Sequence, residues 1–377
     1  FIIALIISFF ILKIQLQTTT FNNNPFKNFT IVDIIISSLL LILVFMSFVG
    51  ALAPPTLSDS MNHHLAAPKY FSELGGFPFI PIQPWPFPGL AHVLFTKVLL
   101  LSNPVSCQLI IFIFGILTTL VVFQITCKYE GCTAGLFASL IYYSLPLTTE
   151  LNTGAMTEHA SNFLLILSLW LILFGLNNKV KYKAYYFLFA GLLGGSAGAT
   201  KVWALLGGPA TFIVIIYFSL NNSIRFKRLI NFLVIYSFAY GIILAPWFIR
   251  NFFASGDPLW PMGFNFFNTQ FYNEITALKY SNWSRGPENS ILNYFLTPWY
   301  LTTNISMFTA GYGAISFLLV NPMFLGFITS NLVFWVKNSK YQKKIFLFFF
   351  IFFLVAYTIW FFGGYTNPRY IQIIYPG

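Results

Sequence analysis

Charge is what this sequence has least of. Only 8% of its 377 residues are Asp, Glu, Lys or Arg, and just nine are acidic, while 57% are hydrophobic. Soluble domains carry roughly 25% charged residues, so a soluble fold is excluded. Cysteine is scarce as well. Cys107, Cys127 and Cys132 lie in or beside apolar runs without metal-ligand or disulfide-framework spacing, and they read as core packing. No glycine-rich nucleotide-binding loop is present. The net charge of +11 suggests nucleic acid, but the basic residues are confined to short loops between apolar runs. Membrane topology places them there, and nucleic acid is not an expected partner.

What the chain has in quantity is apolar length. Segments near the roughly 20 residues that cross a bilayer recur throughout. They fall at about 1–12, 31–53, 104–127, 132–149, 158–176, 185–200, 202–220, 229–249, 313–336 and 345–363, with ends uncertain by about 2–4 residues. These runs lack the alternation of membrane strands, so the expected class is all-α: a polytopic transmembrane helical protein of about ten spans. The chain opens at Phe1 without a methionine and stops inside an apolar stretch, which suggests a piece of a longer chain at both ends. A single transmembrane domain over 1–377 is expected: N-terminal spans in 1–53, a first external loop at 54–103, central spans in 104–250, a long external loop at 251–312 and C-terminal spans in 313–377. The 185–220 stretch breaks at "GGSAGATK", ending at Lys201, and so reads as two helices whose small residues permit close packing.

Threading these spans puts the basic loops (Lys13, Lys27, Lys128, 177–183, Arg225 to Arg228, Lys337 to Lys344) on one face, cytoplasmic by the positive-inside rule. Seven of nine carboxylates and all four histidines fall on or near the other face. The two long external loops are too aromatic for disorder, and interfacial helices are expected at 88–101 and 290–300. Trp85, Trp260, Trp283 and Trp299 read as an interface belt, or as faces for stacking on a sugar.

Candidate chemistry sits on that external side. Asp59 lies just beyond a span end, with His63 and His64 four and five residues on. It is either an ordinary interfacial carboxylate, such as a helix cap, or a general base or metal-associated carboxylate held at the membrane surface. Adjacent histidines diverge on an α-helix, so at most one of them should face a small site, and a histidine-only metal site is not expected. Lys69, Lys201, Arg250 and Arg369 stand where positive-inside bias disfavours cations. Any one alone reads as a snorkelling side chain; together they suggest an anionic, phosphate-bearing partner. Glu158 opens a span and suits either a helix cap or a site carboxylate.

With these residues laid out, the chain resembles the C-type glycosyltransferase (GT-C) superfamily, specifically membrane enzymes similar to protein O-mannosyltransferases and the lipid A aminoarabinose transferase. The resemblance rests on "PPTLSDSMNHHLAAPKYF", "GLLGGSAGATKVWALL", "APWFIRNFFASGDPLWP" and "NPRYIQIIYP", in that order. It implies a GT-C fold, a polyprenyl-phosphate-linked sugar donor, a lipid, glycan or protein acceptor, and a multi-pass protein of a bacterial inner membrane with its site facing the periplasm. By position it implies Asp59 as catalytic base, with Lys69, Lys201, Arg250 and Arg369 on the donor phosphate and His63, His64 and Glu158 at the acceptor or a secondary site. His63 departs from a usual tyrosine and Glu158 from a common aspartate. No Asp-x-Asp pair stands at Asp59, so no metal ligand is assigned and no cofactor required, although a divalent cation is compatible. Two rivals remain. A transporter or flippase would place ionisable residues at mid-span, where this chain has almost none. An inactive binder of lipid-linked sugars would share the whole pattern.

Overall fold

The computed structural model describes residues 30–176, 183–222, 224–276, 286–304, 308 and 340–363. Helix α1, Ile31–Ala51, begins at a reciprocal cap: the Asp33 backbone N–H donates to Thr30 Oγ1 at 3.3 Å, and the Thr30 N–H donates to Asp33 Oδ2 at 2.8 Å. Such a box satisfies N–H groups that every helix start leaves unpaired. Pro54 and Pro55 follow its end and cannot continue the ladder.

A π-helical turn, Ser60–Leu65, then leads directly into α2, Ala66–Leu74, which stops at Gly75 in the left-handed region (φ +66°). Next come α3, Leu90–Leu101; α4, Pro104–Glu130; α5, Cys132–Ser144; α6, Pro146–Asn152; α7, Glu158–Gly175; and α8, Lys183–Thr200. A 3-10 turn at Val202–Leu206 precedes α9, Gly207–Asn221, followed by α10, Phe226–Ser255; α11, Ile291–Thr303; and α12, Lys340–Phe362. The described residues are all-helical, without a strand.

Six helical segments are long and apolar enough to cross a membrane: Ile31–Ala51, Pro104–Glu130, Glu158–Gly175, Val202–Asn221, Phe226–Ser255 and Gln342–Phe362. Ten spans are therefore not what the described residues contain. The expected segments at 1–12 and 313–336 lie outside them, as do Lys13, Lys27, Lys337, Trp283 and Arg369. The expected crossing at 132–149 is corrected by Pro146. Leu145 is forced into an extended conformation (φ −59°, ψ 124°) by the proline that follows, and the helix breaks into α5 and α6. The break at Lys201 is found as expected: α8 ends at Thr200, and Lys201 itself is extended (φ −141°, ψ 123°). Helices also form where interfacial ones were expected, α3 and α11; the latter is capped by Ser290, whose Oγ accepts from the Asn293 N–H at 3.1 Å.

The bundle is built around α7. Its span window is 89% buried, against 17% for α1, whose Ile, Leu and Phe side chains face outward. Helix α8 lies between α7 and α10, while α9 packs on α12 and α1 on α5. A Cβ on Gly191 would meet the Tyr236 carbonyl at 2.4 Å, and one on Gly195 the Tyr240 carbonyl at 2.5 Å. Backbone thus lies almost against backbone, as the small residues allow.

Helix ends that carry the basic residues collect at one pole. Lys344 bonds the Asn222 side chain, Asn222 donates to the Leu176 carbonyl at 3.3 Å, and Gln342 donates to Glu130 at 3.1 Å. The Lys128 ammonium lies 4.2 Å from the centre of the Phe174 ring. Here Cys127 and Cys132, expected as separate core residues, form a disulfide across the α4–α5 turn; Cys107 is the buried free cysteine of the described chain.

Candidate active site

At the opposite pole the chain gathers its buried polar groups. Lys201 follows the end of α8 and Glu158 opens α7, and these packed neighbours bring Lys201 Nζ to 2.9 Å from Glu158 Oε1. Both are buried, with Glu158 fully enclosed. The helix-cap alternative for Glu158 does not describe this geometry: Thr157 is the N-cap residue and makes no side-chain cap bond, while the Glu158 carboxylate faces Lys201.

Lys201 Nζ also lies 3.4 Å from His64 Nε2, and His64 Nδ1 lies 2.9 Å from His92 Nε2. An ammonium only donates, so His64 Nε2 accepts. The His64 proton is then on Nδ1, donated to His92 Nε2. The result is one hydrogen-bonded line, Glu158, Lys201, His64, His92, joining α7, the α8 end, the π turn and α3. Burial, and next the charge of Lys201, push His92 down to about 3, in keeping with a neutral acceptor.

The π turn explains a correction. Adjacent histidines on an α-helix would diverge, but the wider turn brings both toward α3. The His63 and His64 ring centres are 4.3 Å apart, and His63 meets His92 edge-on at 4.7 Å. Asp59 is the residue just before this turn. It is half-buried and gives no side-chain cap bond to the turn it precedes, so the cap reading fails for it too. Its neighbours Leu57 and Ser60 pack on Gly154, where an added Cβ would meet them at 2.4 and 3.2 Å. The Asp59 loop thereby rests on the connection that leads into Glu158.

Arg250 occupies a different setting near the end of α10. Its Nη2 donates to the Pro86 carbonyl at 2.5 Å and to Asn251 Oδ1 at 2.8 Å, and Asn251 Nδ2 donates to the same Pro86 carbonyl at 3.1 Å. The guanidinium also lies 5.2 Å from the centre of the Trp247 ring. Arg250 therefore anchors the 54–103 loop to α10. Lys69 is exposed on α2.

Sequence reasoning missed two residues of this region. Asp257 is fully buried and organises the turn after α10, accepting from the Leu259 N–H at 2.8 Å and from Thr269 Oγ1 at 3.3 Å. Burial raises its pKa, opposed by these bonds. Trp260, expected in the interface belt, is buried instead. Its Nε1 donates to the Gln270 carbonyl at 3.0 Å and its ring meets Phe79 edge-on at 5.4 Å, which joins the 54–103 segment to the segment after α10. The Gly256-Asp257-Pro258 run was the available signal for both, since a tight turn there folds the next residues back.

No family model matches the chain, and no curated protein matches it in sequence. A solved structure does match in fold. ArnT from Cupriavidus metallidurans, bound to undecaprenyl phosphate, superposes with a TM-score of 0.58 over 91% of this chain at 14% identity. This chain spans 57% of that protein's length. At such identity the match speaks for the fold alone. The protein is a multi-pass integral membrane protein of ArnT-like fold.

Proposed function

We propose that this protein is a membrane glycosyltransferase that moves a sugar from a polyprenyl-phosphate donor to an acceptor hydroxyl on the non-cytoplasmic, periplasmic side of a bacterial inner membrane. The observation that carries the reading is the buried Glu158–Lys201–His64 assembly beside the Asp59 loop, in a chain with the fold of a protein held with undecaprenyl phosphate. A polyprenyl tail keeps its phosphate at the membrane interface, so the groups that meet it must be fixed there.

Asp59 takes the proton of the acceptor hydroxyl as that oxygen attacks the anomeric carbon. The bond from that carbon to the phosphate oxygen breaks on the opposite face, the configuration inverts, and polyprenyl phosphate leaves with the electron pair. Lys69, Lys201, Arg250 and Arg369 supply positive charge to the departing phosphate, as fixed charges do for other developing anions. Glu158 holds Lys201 in place while compensating its charge before the donor arrives. His63 and His64 stand on the turn that follows Asp59 and face the acceptor or a secondary site. With cations of its own, the reaction as written calls on no cofactor.

The test is transfer of radiolabel from a polyprenyl-phosphate sugar to an acceptor fraction by the purified protein in membranes. Label transfer lost in Asp59→Asn, with polyprenyl phosphate still bound, supports the reading. Binding without transfer by the wild type would leave a lipid-linked-sugar binder, and absence of binding would remove the donor assignment altogether.

A further inference from the structure

The hydrogen-bonded line from Glu158 to His92 passes through His64, yet a third imidazole is folded against it. One ring nitrogen of each of His63, His64 and His92 lies within 4.8 Å of those of the other two, and His64 and His92 are buried. We propose that His63, His64 and His92 form a three-nitrogen site for a divalent transition metal of the zinc type, one that clamps the π turn to α3.

Donor chemistry selects the ion. Imidazole nitrogen suits zinc, cobalt, nickel and copper, whereas magnesium and calcium want oxygen. Zinc–nitrogen bonds of about 2.0–2.1 Å in a tetrahedral site put ligand nitrogens about 3.4 Å apart. The His64 Nδ1 to His92 Nε2 separation of 2.9 Å and the 4.8 Å envelope bracket that spacing, so modest ring rotations suffice. The π turn is what makes the trio possible, because it aims two consecutive side chains at one point. Three protein ligands leave the fourth position open, as in metal sites that retain a water.

The proton between His64 and His92 sets a condition. A metal that takes both facing lone pairs moves the His64 proton from Nδ1 to Nε2, where Lys201 already donates. Lys201 must then turn wholly to Glu158. Metal and Lys201 therefore compete for His64, a property that an incidental group of surface histidines would not have. The site also ties together segments 28 residues apart in the chain, His64 and His92, so an ion there stabilises the first external loop.

The experiment uses the full chain, purified in detergent with a histidine-free tag and stripped by chelator. It is titrated with cobalt, then with zinc, while visible absorption and melting temperature are followed. One equivalent of cobalt with the intense bands of a tetrahedral nitrogen site, displaced by zinc, is expected, together with a rise in melting temperature. His63→Gln, His64→Gln and His92→Gln keep polar side chains but are poor ligands. Each should weaken cobalt binding by more than about tenfold. Lys201→Gln, whose amide oxygen can accept from His64 Nε2–H, should tighten it. Melting of the metal-free variants identifies any that fail to fold, and the half-buried His63→Gln serves if the buried ones do. Absent or substoichiometric cobalt, binding unchanged in His63→Gln, or weaker binding in Lys201→Gln would each overturn the proposal. Transfer activity plays no part in the readout, so the outcome is separate from that of the proposed reaction.

Discussion

Lys201 and Arg250 stand at the same pole of the bundle, at the ends of neighbouring helices, and the protein treats them differently. Lys201 is buried against a carboxylate and an imidazole, so its charge is already compensated. The acceptors that hold Arg250 are uncharged: a carbonyl and an amide oxygen. An arriving phosphate would meet a full unit of charge at Arg250, but at Lys201 it must share with Glu158. Two cations that look equivalent in sequence thus divide into one that waits inside an ion pair and one that braces a loop.

The largest expected effect lies outside both and sets their scale. Asp59→Asn should lower transfer by about 10²- to 10⁴-fold, the usual contribution of a general base, with polyprenyl phosphate binding retained. Wild-type turnover in that variant would move the base to Glu158 and make the ion pair part of the chemistry. Next in size is Glu158→Gln, which strands a buried ammonium. Breaking such a pair destabilises by about 3–5 kcal/mol, seen as a drop in melting temperature, and adding Lys201→Met should restore much of it. No recovery in the double variant would mean that Lys201 has another essential partner.

Arg250→Ala should weaken polyprenyl phosphate binding by about one to two decades, or roughly 1.5–3 kcal/mol, with Arg250→Lys recovering part. Lys201→Ala should cost less, because Glu158 has offset that charge. Equal losses, measured by lipid binding in detergent, would erase the distinction between the two cations. The smallest effect on lipid binding is at Asn251→Ala, which keeps the Arg250 charge but removes the bond to Pro86 and the amide oxygen that accepts from Arg250, each bond worth about 1 kcal/mol; it should appear as faster proteolysis within residues 75–89.

Much of this arrangement was legible in the sequence, for reasons particular to membranes. Apolar runs must form helices where no water can satisfy the backbone, and basic loops must gather on one side, so the Lys128, Asn222 and Lys344 pole followed from composition. The break at Lys201 was announced by its glycines. Pro146 was equally visible, but an apolar run read for length alone passes over it. The histidine cluster was not legible, because α-helical spacing is the default expectation and nothing in "SMNHHL" announces a π turn. Nor was the pairing of Glu158 with Lys201, 43 positions apart, since it arises from the packing of α7 on α8. The burial contrast between α1 and α7 was hidden for a related reason: both look like spans, and only the neighbours decide which one meets lipid.

The near-contact of α8 with α10 bears on traffic. With the Tyr236 and Tyr240 carbonyls almost touching Gly191 and Gly195, no hydrocarbon chain can slide between these two helices from the bilayer. That flank of the molecule is a closed wall, and on the proposed function a long isoprenoid tail reaching the Lys201 pole would have to enter past another pair of helices.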